Sequence, residues 1–226
     1  SETVSKSKTQ PIIGSQIKFK YKELTGSIPI IAKNDLGYRN MVKLSSCSYL
    51  KHKDFNEPFC EFNDLKQYKD GLIVTLGSLH SLIGELFKRD RRHEIKEIYI
   101  FLKKLLQNNF YIEIQRHNDV NEKDLEIFNL GLSRELDIPI IASHEVYYLE
   151  RELHDAHDVL MCIGTKHYIN DKNRIKLSSN HYFKNNDEMN KLFSDLPEAL
   201  ENNFNLPLRC SYRPVASKPL LPNIGS

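Results

Sequence analysis

Short β-rich stretches alternate with amphipathic helical stretches along most of this sequence, and this alternation constrains the fold more than any other feature. Five strands are predicted, at residues 11–13, 28–33, 71–76, 110–114 and 138–142. Two of them are almost entirely apolar, as are strands that are covered on both faces. Because strands that alternate with helices pair in parallel, the sequence predicts an α/β fold whose parallel sheet is either open or closed into a barrel.

Apolar residues at helical spacing indicate the helices between these strands. Helices are predicted from Asn34 or Asp35 through Leu44, over 94–106, from Asn121 through Leu132, from Glu152 through Met161, and at 187–192 and 197–203. The last stretch, 213–226, contains three prolines and cannot form a long helix. We therefore expect one domain over 1–212 and a linker over 213–226.

Length and charge exclude several classes of protein. The 226 residues suffice for one large domain or two small ones, and their formal net charge of +2 is too small to indicate a nucleic-acid-binding surface by itself. The longest apolar runs, 28–32 and 138–142, are far shorter than the ~20 residues that span a bilayer. The first ten residues lack the apolar stretch of a signal peptide. We expect a cytoplasmic protein without membrane contact.

Common motifs for metal binding and catalysis are absent. The four cysteines are far apart in the sequence, so buried reduced thiols are expected rather than a zinc finger. The pair His144 and Glu145 begins an H-E-x-x-H pattern that fails because the last position is Tyr148. No phosphate-binding loop, hydrolase elbow or dinucleotide fingerprint occurs, and we predict no catalytic or cofactor-binding residue.

Two groups of residues allow both a structural and a functional interpretation. The basic run at 88–93 is typical of a solvated turn, although a contact with a nucleic-acid phosphate is the alternative. His154 and His157 lie three residues apart on a predicted helix and share a face. Capping or packing is the expected role of these histidines, and metal ligation is the alternative.

Five longer blocks of sequence indicate a family. They are IAKNDLGYRNMVKLSS at 31–46, DGLIVTLGSL at 70–79, FYIEIQRHND at 110–119, AHDVLMCIGTKHYINDKNRIK at 156–176 and FSDLPEALENN at 193–203. In this order and spacing they resemble the PHP domain at the N-terminus of bacterial DNA polymerase III alpha subunits, over about residues 11–222. The resemblance implies a distorted parallel (β/α)7 barrel with a trinuclear metal centre at the strand ends.

The metal ligands that the resemblance implies are only partly present. An N-terminal His-x-His strand and an Asp-His pair are missing, so we expect a barrel that is incomplete at its N-terminus and begins at the helix before the third strand. Among the later positions, His117 matches a family ligand, while Ser78 replaces a frequent cysteine. Glu145 replaces an aspartate and Tyr147 a histidine. Because a neutral phenol and a serine are poor ligands for zinc or manganese, we expect a degenerate site without bound metal.

The resemblance also implies a role in DNA replication. The parent chain would be a DNA-directed DNA polymerase that uses magnesium, but the carboxylate pair of its active site, Asp-x-Asp, does not occur before Ser226. The leading hypothesis is therefore a docking scaffold for the proofreading exonuclease and other subunits of the holoenzyme, with DNA bound elsewhere in the parent. The alternatives are a metal-dependent phosphoesterase or 3′-5′ exonuclease of the PHP type, and a remnant of a split gene.

A docking role predicts an exposed apolar patch. Core residues uncovered by missing strands, such as Ile12, Ile13 and Ile30, are a competing source of such a patch.

Overall fold

A computed structural model of the chain describes residues 9–51 and 57–215. The strands are β1 (Gly14–Tyr21), β2 (Leu24–Ala32), β3 (Cys60–Glu61), β4 (Leu72–Leu76), β5 (Phe110–Ile114) and β6 (Ile140–Ala142). The helices are α1 (Asp35–Leu50), α2 (Phe62–Tyr68), α3 (Leu82–Phe87), α4 (Arg92–Leu106), α5 (Glu122–Leu136), α6 (His154–Thr165), α7 (Asn186–Leu192) and α8 (Pro197–Leu208). Short 3-10 turns cover Gln107–Asn109 and Arg151–Leu153.

The six strands form one mixed sheet in the order β3-β1-β2-β4-β5-β6. Strands β4, β5 and β6 are parallel, as predicted, but β2 is antiparallel to both β1 and β4. The expectation of an entirely parallel sheet is therefore wrong. For β1 and β2 the physical reason is the connection at Lys22 and Glu23, because two residues can join only antiparallel strands. Within the described residues the outer strands β3 and β6 do not pair, so the sheet is not closed into a seven-stranded barrel.

The first strand lies later than predicted. Residues 11–13 do not form a strand, whereas β1 begins at Gly14. Ile17 and Phe19 of β1 are buried and alternate with lysines, which is the pattern of a strand with one buried face. The described chain thus begins with an antiparallel hairpin, and not with the helix that the family resemblance led us to expect.

The central strands are covered on both faces, as their apolar sequences predict. Every residue of β4, β5 and β6 is buried. One face contributes Leu72, Val74 and Leu76 to the larger core, which α1 to α5 cover. The other face carries a smaller cluster, in which Ile73 packs with residues of β5, β6 and α8. This double cover holds the carboxyl ends of β4 to β6 in fixed positions.

Most predicted helices are present, with changed ends. Asn34 caps α1, since its Oδ1 accepts a hydrogen bond of 2.9 Å from the backbone N–H of Gly37. Asn121 precedes α5 in a left-handed conformation, with φ of 70°. Helices α6 and α8 continue beyond their predicted ends, and the short α2 and α3 were not predicted. Most of the predicted linker, residues 216–226, lies outside the described residues.

The basic run at 88–93 is neutralised by acidic side chains. Lys88 and Arg89 both pair with Glu85, at 3.2 and 2.7 Å, and Arg91 pairs with Glu94 at 2.6 Å. His93 lies 3.5 Å from Glu97. These pairs favour the solvated turn over a phosphate contact, because the positive charges already have partners.

All four cysteines carry free thiols, and Cys60, Cys162 and Cys210 are buried. His157 packs against Tyr147 and Tyr148, with ring centroids 5.4 Å apart in both pairs, which agrees with a packing role. Among the residues that the structure describes, no helix is long and apolar enough to cross a membrane.

Candidate functional site

The carboxyl ends of β4, β5 and β6 meet at one edge of the sheet and surround a polar cavity of about 140 Å³. In sheets of this kind, ligands bind outside the carboxyl ends of parallel strands. Side chains from the segment after each strand line the cavity, among them Ser78 after β4, Gln115 after β5 and Glu145 after β6. The edge therefore concentrates polar groups on a rigid framework.

The structure brings together all four positions at which the family resemblance implies metal ligands. The Glu145 carboxylate accepts hydrogen bonds from the Ser78 hydroxyl, at 3.1 Å, and from the Tyr147 hydroxyl, at 3.4 Å. The backbone N–H of Glu145 donates to Nε2 of His117 over 3.1 Å. The four residues thus form a network of hydrogen bonds within the protein.

These side chains do not fit the trinuclear centre of the family. Burial and the neighbouring Glu145 carboxylate raise the pKa of Tyr147 to about 12, so its phenol stays neutral near neutral pH. Ser78 likewise offers a neutral hydroxyl where a thiolate would bind a metal ion. Of the four positions, His117 and Glu145 alone carry groups that bind zinc or manganese well.

His117 is buried and firmly oriented. Its Nδ1 lies 2.8 Å from Oε1 of Glu122, the first residue of α5. The other carboxylate oxygen of Glu122 accepts the backbone N–H groups of His117, at 2.6 Å, and of Asn118, at 2.7 Å. Asn118 has a φ of 63°, a left-handed conformation that asparagine adopts more readily than most residues. This turn aims Nε2 of His117 away from Glu122.

Two further residues complete a group of potential metal ligands. Asp119 follows His117 by two positions, and its Oδ2 lies 2.9 Å from Nε2 of His181. One potential ligand atom from each of His117, Asp119 and His181 lies within 4.8 Å of the others. We call these three residues the His-Asp-His cluster.

Backbone contacts hold the segment around His181 against the loop after β5. The N–H of Ser178 donates to Asp119 over 3.2 Å, and the side-chain amide of Asn180 donates to the carbonyl oxygen of His117 over 2.8 Å. The N–H of Tyr147 donates to the carbonyl oxygen of His181 over 2.9 Å. The rings of His117 and His181 stack in parallel, with centroids 4.0 Å apart. The cluster therefore joins two loops that are distant in the sequence, and the contact of Tyr147 adds the loop after β6.

Charge at the cluster is set by competing effects. Partial burial raises the pKa of the Asp119 carboxyl, but hydrogen bonds from His181 and His80 outweigh it and hold this pKa well below its ordinary value. Burial lowers the pKa of His144 to about 4, and the neighbouring His117 adds to this effect. At neutral pH the Asp119 carboxylate is therefore ionised and the ring of His144 is neutral.

Glu113 on β5 forms the floor of the cavity. Its side chain is buried, and Oε1 accepts a hydrogen bond of 2.6 Å from the hydroxyl of Thr75. Burial raises the pKa of Glu113 to about 7 despite this hydrogen bond. This carboxyl is consequently the buried acid of the cavity that titrates near neutral pH.

The sequence analysis missed Asp119 and His181. Asp119 left a local signal, since it forms a His-x-Asp pattern with His117 after a buried strand. His181 left none, because it lies 62 residues after Asp119 in a polar stretch without a motif.

Comparison with known proteins supports the resemblance seen in the sequence. The profile of the PHP domain family matches residues 1–117. Over 221 residues the chain is 36% identical to the DNA polymerase III subunit alpha of Rickettsia conorii, covering 96% of this chain and 18% of that relative. Over 199 residues it is 39% identical to the same subunit of Borreliella burgdorferi, covering 86% of this chain and 17% of that relative.

The chain thus spans less than a fifth of the length of these two relatives. The family profile covers more than half of the chain, and the relatives align with most of it. The chain therefore belongs to the PHP domain family.

Proposed function

We propose that this chain is the PHP domain of a cytoplasmic DNA polymerase III alpha subunit and serves DNA replication as a docking scaffold. The similarity to alpha subunits from two organisms supports its place in such a polymerase. In this proposal the parent chain carries the nucleotidyltransferase activity, its magnesium ions and its DNA-binding surfaces.

The observation that carries the scaffold role is the replacement of metal ligands at the strand ends. Ser78 and Tyr147 donate hydrogen bonds to Glu145 at positions where the family's metal-binding members have ligands. A hydrolytic centre needs several ligands that converge on an ion able to activate water. Without them the domain retains a folded surface but no family catalytic centre, and proofreading has to come from another subunit.

An exposed apolar face on α6 supports a docking role. Val159, Leu160 and Ile163 are 49%, 63% and 70% exposed and share one side of this helix. Exposed apolar patches mark interaction surfaces. Uncovered core residues are a weaker source of such a patch than expected. Ile30 is buried in the core, Ile13 is half-buried and Ile12 is 39% exposed.

We propose that the proofreading exonuclease subunit binds this face of α6. The test is a titration of the exonuclease subunit against the whole alpha subunit that contains this chain, with Leu160→Glu and Ile163→Glu combined. We expect at least a tenfold loss of affinity, since two buried apolar contacts would be replaced by charges. Ile127→Glu is the matched control, because Ile127 is 61% exposed on α5.

Two results would reject this contact. One is unchanged exonuclease binding by the double variant. The other is an equal loss in the Ile127→Glu control, which would indicate a general effect of added charge. If the rest of the polymerase covers α6 instead, the double variant should destabilise the alpha subunit and leave exonuclease binding intact.

The family resemblance also supports a seven-stranded barrel in the parent. In this proposal a further strand pairs with the outer strands β3 and β6 of the described sheet. Hydrogen exchange of the amides of β3 and β6 tests it, because pairing in the whole alpha subunit would slow exchange relative to the 226-residue chain.

A metal-dependent phosphoesterase or 3′-5′ exonuclease is the second candidate function. The His-Asp-His cluster favours it, since its ligand types are those of hydrolytic metal sites. Release of nucleotides from labelled single-stranded DNA, with zinc or manganese added, would support this candidate if Asp119→Asn abolished it.

A further inference from the structure

One side of α1 presents apolar side chains that the described residues leave largely uncovered. Val42 and Tyr49 are 46% and 67% exposed. Together with the half-buried Tyr38 they stand at positions i, i+4 and i+11 of the helix. At 3.6 residues per turn, this spacing places all three on the same side. We call Tyr38, Val42 and Tyr49 the α1 stripe.

The chain that follows α8 already covers the beginning of this stripe. The ring of Tyr212 stacks on the ring of Tyr38, with centroids 4.3 Å apart and planes inclined by 11°. One residue earlier, the N–H of Ser211 donates to the carbonyl oxygen of Lys33 over 2.7 Å. Lys33 precedes α1 and Tyr38 lies in its first turn. The chain therefore passes α1 in the direction that leads along the stripe.

The point from which the following residues start is firmly held. The side-chain amide of Gln10 donates to the carbonyl oxygens of Pro207 and Cys210, over 2.8 and 2.6 Å, and Cys210 is buried. Tyr212 then fixes the chain on α1. A segment joined to a fixed point beside its binding surface has a high effective concentration there, so weak apolar contacts suffice to hold it.

The composition of residues 216–226 suits an apolar surface. Leu220 and Leu221 lie between two prolines, and Lys218 is the single charged residue of the segment. Because proline restricts the conformations of a free chain, such a segment loses less entropy on docking than a chain without proline does.

The segment is also long enough to reach the far end of the stripe. Tyr38 and Tyr49 are about 17 Å apart along the helix axis, at a rise of 1.5 Å per residue. Leu221 follows Tyr212 by nine residues, which span roughly 28 Å in the extended conformation that proline-rich chains adopt. The leucines can therefore meet the second half of α1 without stretching the chain.

We infer that residues 216–226 lie along the α1 stripe and cover it. The two leucines of the segment pack on Val42 and Tyr49. No like charges oppose this contact, because the segment carries one lysine and Arg39 of α1 already pairs with Asp35 at 2.9 Å. The predicted linker is then held against the domain instead of extending freely from it. This contact goes beyond the proposed docking function, which uses α6.

The test measures how fast hydroxyl radicals oxidise single tyrosines in the full 226-residue chain. The variant combines Leu220→Ser and Leu221→Ser. Val215→Ser is the matched control, because Val215 is an apolar residue of the same tail that is 85% exposed. Tyr168 is the exposed reference in each sample, and the fully buried Tyr99 reports that the fold is intact.

We expect Tyr49 in the wild type to be oxidised about threefold more slowly than Tyr168, because a side chain in contact with the segment loses access to solvent. In the double variant the two tyrosines should be oxidised at similar rates, and Val215→Ser should behave as the wild type. Slow oxidation of Tyr99 throughout would show that all three proteins are folded. The wild-type comparison does not depend on the folding of any variant.

Four outcomes would overturn the inference. Equal oxidation of Tyr49 and Tyr168 in the wild type would mean that the stripe is uncovered. Protection of Tyr49 that persists in the double variant would mean that another part of the chain covers it. Protection that is lost on dilution would assign the contact to a second copy of the chain. An equal loss in Val215→Ser would indicate a general effect on the tail. None of these outcomes bears on exonuclease binding at α6.

Discussion

Glu113 shows how one buried side chain links the cavity to the stability of the protein. Its carboxyl lies under the polar edge of the sheet, where Thr75 is its hydrogen-bond donor. Burial favours the protonated form and raises the pKa of Glu113 to about 7. The native state therefore binds this proton more tightly than the unfolded state does.

The resulting pH dependence has a definite sign. For an acid whose pKa is raised on folding, the free energy of unfolding falls as the pH rises from the unfolded pKa toward the folded one. Between about pH 4.5 and pH 7, ionisation of Glu113 should remove on the order of 2–3 kcal/mol of stability.

Glu113→Gln should remove this dependence. The variant keeps the size of the side chain and an oxygen acceptor for Thr75, but it cannot ionise. We expect its urea-unfolding free energy to match that of the wild type near pH 5 and to exceed it by about 2–3 kcal/mol at pH 8. A difference between the two proteins that is the same at both pH values would contradict the prediction.

The proposed loss of the family's metal centre depends on two single side chains, Ser78 and Tyr147. Ser78 and Tyr147 are each one substitution away from a good ligand. Both contact Glu145 instead, and a neutral hydroxyl provides no charge to offset that of a cation. Whether a side chain offers a neutral hydroxyl or a charged ligand atom therefore decides how well the same backbone position binds a cation.

At the scale of elements, the contact between α1 and the turn before β4 depends on two glycines. Gly71 has a φ of 75°, which glycine adopts without strain, and its carbonyl oxygen accepts the N–H of Lys33 at 2.8 Å. A Cβ atom on Gly37 would lie 1.8 Å from that same oxygen. The start of α1 thus approaches this turn as closely as the backbone allows.

Gly37→Ala and Gly131→Ala should shift stability in opposite directions. Both glycines lie in helices, but a Cβ on Gly131 in α5 would meet no atom within 4 Å. We expect Gly131→Ala to stabilise the protein by about 0.5–1 kcal/mol through helix propensity. Gly37→Ala should cost about 1–3 kcal/mol or more, because backbone must move. Urea denaturation measures the free energy of unfolding of both variants. Equal changes in the two variants would contradict the packing argument.

The direction in which β1 and β2 pair depends on the short connection between them. The first strand was predicted at 11–13 and the sheet as parallel, whereas β1 is Gly14–Tyr21 and runs antiparallel to β2. A strand of given composition pairs in either direction, and the two-residue turn decides which one. Connection length therefore carries information that strand composition lacks.

For the molecule as a whole, we propose that nucleotidyl transfer takes place in the parent chain, outside these 226 residues. The purified chain should then lack polymerase activity. Nucleotidyl transfer by two metal ions needs converging carboxylates, and no Asp-x-Asp occurs in the 226 residues. We expect no primer extension by the purified chain with primed template, nucleotides and magnesium. The whole alpha subunit is the positive control, and template-dependent extension by the chain would disprove the prediction.

Local patterns in the sequence predicted the family, the parallel pairing of β4, β5 and β6, and most helices. These properties depend on residues close together in the chain, namely apolar runs, helix caps and short blocks of sequence that local patterns reveal. The tertiary structure was needed to show that β2 runs antiparallel to β4 and that His181 meets Asp119. These contacts join distant parts of the chain, and their partners are chosen by the packing of the whole domain, which no local pattern encodes.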